Sequence, residues 1–279
     1  MRLGVRVRDI ISKTFIYGTL IAGSFFILLP LIWMISTSLK LQSHVFRFPP
    51  EFIPNPVVWS NYSEALTALP FDTYLLNTLT IVVFSVTGEV FMSAVVAYAF
   101  SRLKWKGRDV LFVIVIATMM LPGQVTLIPI FILYRQIGWL DTFLPLIVPS
   151  WFGNAFYIFL LRQYFMTLSK DMDEAAVMDG CSKIGVFWRI TLPMAKPALG
   201  AVAIFSFQFH WNDFFRPLIF IFSKENYTLA LGLRFFQGTY GTQWPYLMAA
   251  SLVVMLPVIL IFFFAQRYFI QGVVLTGYK

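Results

Sequence analysis

Charge is absent, or nearly so, from six stretches of this chain: 14–39, 73–101, 110–134, 142–161, 197–222 and 246–266. At about 1.5 Å per helical residue, each is long enough to cross the roughly 30 Å of hydrocarbon in a bilayer. Lipid gives a backbone no hydrogen-bonding partner, so such runs are predicted to be helices. Two of them are interrupted. The second holds Glu89, and the fifth holds His210, Asp213 and Arg216. Segment 40–72 carries Pro49, Pro50, Pro54 and Pro56, and predicts a cap of turns with one short helix near 57–69. No Gly/Ser linker, low-complexity tract or internal repeat divides the chain. The fold class expected is an all-α integral membrane protein of six transmembrane helices.

Composition agrees with this pattern. Hydrophobic residues make up 59% of the chain and charged residues 12%, too few charges to cover a soluble surface of this size. The net charge of +8 does not point to nucleic acid, because the basic residues sit in short tracts beside the apolar runs. Segment 1–13, with Arg2, Arg6, Arg8 and Lys13, resembles the start of a signal peptide. The run after it is far longer than a signal-peptide core of about 7–15 residues, so an uncleaved first span, 14–39, is the better reading. Of the 21 Lys and Arg residues, 15 fall in 1–13, 101–109, 162–196 and the tail. That bias puts both termini, including the tail 267–279, in the cytoplasm and 40–72 outside. Cys181 is alone, which excludes an intrachain disulfide and a cysteine metal cluster.

The segment 162–196 is too polar to span a membrane and too long for a simple connection. Ser169 can cap a helix whose first turn carries Asp171, Asp173 and Glu174, where negative charge is favoured. Ala175 and Ala176 are strong helix formers, and Gly180 supplies a left-handed stop. Ser182 can cap a second short helix, with Ile184, Phe187 and Ile190 on one face and Pro193 ending it. A small-residue surface beside an acid suits docking into a partner's cleft. The plainer reading is an amphipathic loop lying on the membrane.

Glu174-Ala175-Ala176, Gly180 six residues after the Glu, then nine residues and Ile190-x-Leu192-Pro193 resemble the coupling loop of permease subunits in bacterial ATP-binding-cassette (ABC) importers. That family commonly has proline where this chain has Ser169. Three further stretches resemble its carbohydrate, maltose-type branch: Ala97-Tyr98-Ala99-Phe100-Ser101-Arg102 with Gly107-Arg108-Asp109, Met120-Leu121-Pro122-Gly123-Gln124, and Trp211-Asn212-Asp213-Phe214 with Pro217. The resemblance implies a type I importer transmembrane fold, a permease core over 73–266, and a coupling loop at 164–196. Glu174, Ala175, Ala176, Asp179, Gly180, Ile190, Leu192 and Pro193 would then contact an ATPase subunit. It also implies a different second permease, two ATPase subunits holding ATP and Mg, an extracytoplasmic solute-binding protein, a carbohydrate substrate, and a bacterial or archaeal inner or plasma membrane. This chain has no Gly-rich loop followed by Gly-Lys-Ser/Thr, so no cofactor, metal or catalytic group is expected in it. Glycerol phosphate carriers share the branch and stand as the alternative.

Polar residues inside the spans are the remaining candidates. Phe209, Trp211, Asn212 and Asp213 offer the stacking and hydrogen bonding that sugars use, though Asp213 and Arg216, three apart, could simply pair on one helix face. Glu89 needs a partner, from Ser85, Ser93 or another span, or it lines the path. An ion-coupled secondary transporter would account for Glu89 and Asp213 but leaves the capped loop unexplained. A membrane enzyme with a metal held by the acids of 171–179 fits poorly, because Ala175 and Ala176 interrupt the acids as on a helix face.

Overall fold

The computed structural model describes the backbone of residues 2–238 and 241–274, with side chains from 12 to 264 apart from Thr239 and Tyr240, and that of Gln266. The basic side chains of the first eleven residues and all side chains of the expected tail, 267–279, lie outside those described. Helices follow in the order α1 (Arg2–Ser38), α2 (Ser60–Thr67), α3 (Phe71–Arg102), α4 (Arg108–Ala117), α5 (Gly123–Gln136), α6 (Leu144–Ile147), α7 (Ala155–Thr167), α8 (Lys170–Met178), α9 (Lys183–Val186), α10 (Leu192–Met194), α11 (Lys196–Trp211), α12 (Phe215–Phe220), α13 (Leu229–Leu233) and α14 (Trp244–Val274). A hairpin of β1 (Gln237–Gly238) and β2 (Gly241–Thr242) pairs Gln237 with Thr242.

Among the described residues, Ser12–Ser38, Phe71–Arg102, Leu144–Thr167 and Trp244–Phe264 are long and apolar enough to cross a membrane. Two bent pairs bring the number to six if each is one span. The run 110–134 is one such pair: Arg108–Met120 meets Gly123–Gln136 at 96°. Pro122 explains the break, since it has no N–H and drives Leu121 out of the helical region, to φ −82° and ψ 117°. The run 197–222 does not continue as one helix either. Helix α11 stops at Trp211. Asp213 Oδ1 then accepts the Arg216 N–H at 3.3 Å, and Pro217 has no N–H to return to the preceding turn.

The chain packs as two units. One runs to Leu69 and takes up Leu233–Met255; the other holds Pro70–Gly232 and the chain from Leu256 on. In the first, α2 falls inside the stretch 57–69 that the sequence marks as helical. Asn61 is buried and donates to the carbonyls of Ser38 and Lys40, both at 2.9 Å, satisfying two groups left open at the end of α1.

In the second unit, α3 is the central helix, packed against α7 and α11. Ala94, Ala97, Ala195 and Ala198 are buried there with Leu161, Phe165 and Val202. Small residues let helix backbones approach closely where no water-driven packing force operates. Gly88 carries this furthest, because a Cβ at that position would lie 2.6 Å from the Trp151 ring. In the loop between α5 and α6, Asp141 adopts φ 60° and ties this loop to the end of α12. Its carboxylate accepts the amides of Phe222 (2.9 Å) and Ser223 (2.8 Å) and the Ser223 hydroxyl. Burial alone would raise its pKa, but these hydrogen bonds outweigh that and hold it below the usual carboxylate range.

Two measurements follow from this packing. Gly88→Ala is expected to lower the unfolding midpoint in detergent by the equivalent of about 1–3 kcal/mol, the range for overpacking. Shortening the opposing ring (Gly88→Ala with Trp151→Leu) should recover part of that loss. Asp141, with a depressed folded pKa, adds stability above the ordinary carboxylate pKa of about 4 that is lost as pH falls through the folded value. Acid titration of thermal stability should therefore show a loss below about pH 4 that is blunted in Asp141→Asn.

Candidate functional site

Glu89 lies in the middle of α3 and is 5% exposed. Its carboxylate is met by three donors from other elements. Asn154 Nδ2 donates to Oε1 at 3.1 Å, and the Ser206 hydroxyl donates to Oε2 at 2.6 Å. His210 Nε2 lies 3.1 Å from the same Oε2. The other face of the imidazole meets Arg216, whose Nη2 is 3.1 Å from Nδ1. Arginine only donates, so Nδ1 must accept and Nε2 carries the hydrogen toward Glu89. Arg216 in turn bonds Asp213 through Nε at 2.5 Å and lies over the Phe209 ring at 4.8 Å. A polar chain thus runs Glu89–His210–Arg216–Asp213 through otherwise apolar helices.

Asn154 also fixes the start of α7. Its side chain accepts the Phe156 N–H at 2.9 Å as an N-cap, and its own N–H donates to Ser93 Oγ at 3.1 Å. Of the partners foreseen for Glu89, the other-span reading is the one realised. Ser85 bonds the Leu146 carbonyl and Ser93 bonds Asn154. Asn154 and Ser206 were not singled out from sequence. The one signal was Gly153-Asn154, a breaker and a cap inside an apolar run, where Gly153 adopts φ 81°.

The outer end of the polar chain reaches a cavity of about 670 Å³. Six aromatic residues line it, Phe156, Tyr157, Phe205, Phe209, Phe214 and Phe215, with Gln208, Asn212 and Asp213 as its polar positions. Phe209, Asn212 and Asp213 therefore come together as the sequence suggested. Trp211 does not join them: it is buried, stacked on Phe207 at 5.3 Å. Glu89 lies behind this wall, connected to it through His210 and Arg216.

A second constellation forms at the polar segment. Ser169 caps α8, accepting the Asp171 N–H at 3.2 Å, and Ser182 caps α9, accepting the Gly185 N–H at 3.1 Å. Gly180 stands between them at φ 84°, a conformation open to glycine at little strain. The second arm differs from the expected helix ended by Pro193. After α9 a π turn, Phe187–Thr191, runs into α10, and Pro193 sits in the first turn of α10, where no N–H is needed. On this arm Ile184 is 72% exposed while Val186 and Phe187 are buried, so Ile184 and Phe187 do not share a buried face. Glu174, Ala175, Asp179 and Gly180 are exposed, and Ala176 is half-buried. Among the described residues Glu174 has no ion pair. Ile190 and Leu192 are half-buried at the base of the elbow, and Pro193 is exposed.

Residues 89–274 match the family described as the binding-protein-dependent transport system inner membrane component. The chain is similar to the arabinooligosaccharides transport system permease protein AraQ of Bacillus subtilis, 34% identical over 90% of each chain. It is also similar to the sn-glycerol-3-phosphate transport system permease protein UgpE of Yersinia pestis, 33% identical over 93% of this chain and 95% of the other. Among solved structures it is similar to a chain of a bacterial ABC transporter involved in import of the acidic polysaccharide alginate. The TM-score there is 0.82, with 26% identity over 94% of this chain and 97% of that one. The exposed capped elbow, the apolar spans and these likenesses converge: the chain belongs to the inner-membrane component family of binding-protein-dependent transport systems and has the fold of an ABC importer permease.

Proposed function

We propose that this chain is one of two unlike permeases in an ABC importer that carries a sugar or oligosaccharide into the cytoplasm by alternating access. The elbow carries the reading. It is a capped helix stopped by a glycine, with Glu174 unpaired among the described residues and Met178 and Ile184 strongly exposed. An acid among small and apolar side chains, on a helix largely uncovered by its own chain, suits a cleft with a basic group in another protein. In this reading Glu174, Ala175, Ala176, Asp179 and Gly180 seat in an ATPase subunit, while Ile190, Leu192 and Pro193 form the elbow's base. The two ATPase subunits hold ATP and Mg and carry out hydrolysis; this chain contributes no catalytic group. A solute-binding protein delivers the sugar from outside. Both termini and the elbow face the cytoplasm, as the distribution of Lys and Arg favours.

The cavity beside Phe209, Asn212 and Asp213 is the part of the path assigned to this chain. Rings stack on the apolar faces of sugars, and Gln208, Asn212 and Asp213 bond hydroxyls. The relatives' names span a pentose oligosaccharide, a phosphate ester and an acidic polysaccharide. Charge separates these. Among the described residues no basic side chain lines the cavity, and Arg216, the partner of its Asp213, is also engaged by His210. With Asp213 paired to Arg216 the wall carries no uncompensated charge, which suits a neutral saccharide, and Trp211 and Glu89 support it from behind.

Glu174→Ala and Gly180→Val are expected to abolish uptake by the reconstituted complex, by losing assembly or by leaving ATP hydrolysis running without transport. Normal uptake and assembly in both would remove the docking role. Asn212→Ala should reduce uptake of a neutral oligosaccharide about fivefold, the equivalent of one hydrogen bond of about 1 kcal/mol. Gln208→Lys should raise uptake of an acidic oligosaccharide relative to a neutral one. Unchanged selectivity in both would assign the wall to packing.

A further inference from the structure

The stretch Tyr98-Ala99-Phe100-Ser101-Arg102 is marked by sequence, yet neither docking nor the sugar path uses it. Two of its polar side chains, Tyr98 and Arg102, one helical turn apart at the end of α3, take hold of both arms of the elbow. Arg102 is 4% exposed at its side chain and forms an ion pair with Asp173 of α8 at 3.2 Å. The same guanidinium donates to the carbonyls of Phe165 (2.6 Å) and Leu168 (2.9 Å), closing the open end of α7. Tyr98 donates from its hydroxyl to the Lys183 carbonyl, the first residue of α9, at 2.8 Å. The arms on either side of Gly180 are therefore pinned to one helix.

On the α8 arm apolar packing does not do this work, whereas on the α9 side Phe187 also packs on the Tyr98 ring at 5.0 Å. Within α8 only Asp173 and Ala176 are even partly covered. A cavity of about 410 Å³ lies between the elbow and the end of α3, bordered by Tyr98, Arg102, Asp173, Val177 and Met178. A push on α8 thus reaches the membrane helices through its short link to α7, through the ion pair, and through the Gly180 turn into the α9 arm held by Tyr98. Along α3, Glu89 lies about 20 Å from Arg102 at 1.5 Å per residue, and Glu89 holds α11 through Ser206 and His210. We infer that Arg102, Asp173 and Tyr98 form the joint that passes motion of the elbow into α3. Arg102 and Asp173 are positioning residues in this scheme. The inference rests on the docking of the elbow proposed above.

Removing Arg102 would strand two carbonyls and a carboxylate, so the test changes Asp173 instead. In the complete complex in vesicles, Asp173→Asn should leave assembly intact and ATP hydrolysis within about twofold, while sugar taken up per ATP falls about tenfold, the scale of ordinary coupling free energies. Asp173→Glu, which keeps the carboxylate, should restore most of that ratio. Arg102→Lys, which keeps the charge but not the three-way fork, should lower it. A parallel fall in hydrolysis and uptake, lost assembly with Asp173→Asn, or no change in the ratio would each overturn the inference. Failure of the docking reading is read separately, from intact uptake in Glu174→Ala and Gly180→Val.

Discussion

The carboxylate of Glu89 sits in the middle of an apolar helix, where water is replaced by Asn154, Ser206 and His210. An ionisable group in a bilayer interior is tolerated only when protein satisfies it. Here the satisfying groups come from the start of α7 and from α11, so meeting the need of one side chain fixes both against α3. Much else follows from that meeting. The alanines of α3 and α11 allow the close approach that brings Ser206 within 2.6 Å, and Gly88 leaves room for Trp151 one residue from the acid. The break after α11 turns Arg216 back toward His210, and with it Asp213 becomes part of a cavity wall.

The protein spends its few intramembrane charges on orientation. His210, held between a donor-only arginine and a carboxylate, has one tautomer open to it, and this sets the direction of every hydrogen bond along the chain from Glu89 to Asp213. A wall built this way presents Asn212, Gln208 and Asp213 from a rigid backing. In the proposed path such backing holds the bonding groups in fixed places, and placement is how sugars with many similar hydroxyls are told apart.

The elbow uses the opposite economy. Few side chains of α8 touch the membrane helices, and a cavity lies where packing would otherwise be, while Phe187 of the other arm is buried against α3. Its stiffness comes from caps at Ser169 and Ser182, a single glycine turn, and the grip of Tyr98 and Arg102. That arrangement leaves Glu174, Met178 and Ile184 exposed while both arms stay tied to α3.

The apolar runs, the excess of Lys and Arg in alternate segments and the caps and glycine between Ser169 and Pro193 were enough, by themselves, to specify a multi-pass helical protein with a capped polar elbow. The reason is that these features are local: helix length is set by membrane thickness, and caps and stops act within one turn. The bend at Pro122 and the early end of α11 were only partly legible, since proline marks a break without fixing its angle. The partners of Glu89, the burial of Trp211 and the grip of Arg102 on Asp173 were not legible at all. They join residues 65 to 121 positions apart, or place a ring on one side of a helix whose faces are nearly equal in hydrophobicity. In lipid an apolar side chain gains little by choosing inside over outside, so periodicity does not mark the buried face. Only the packed helices decide which polar groups meet.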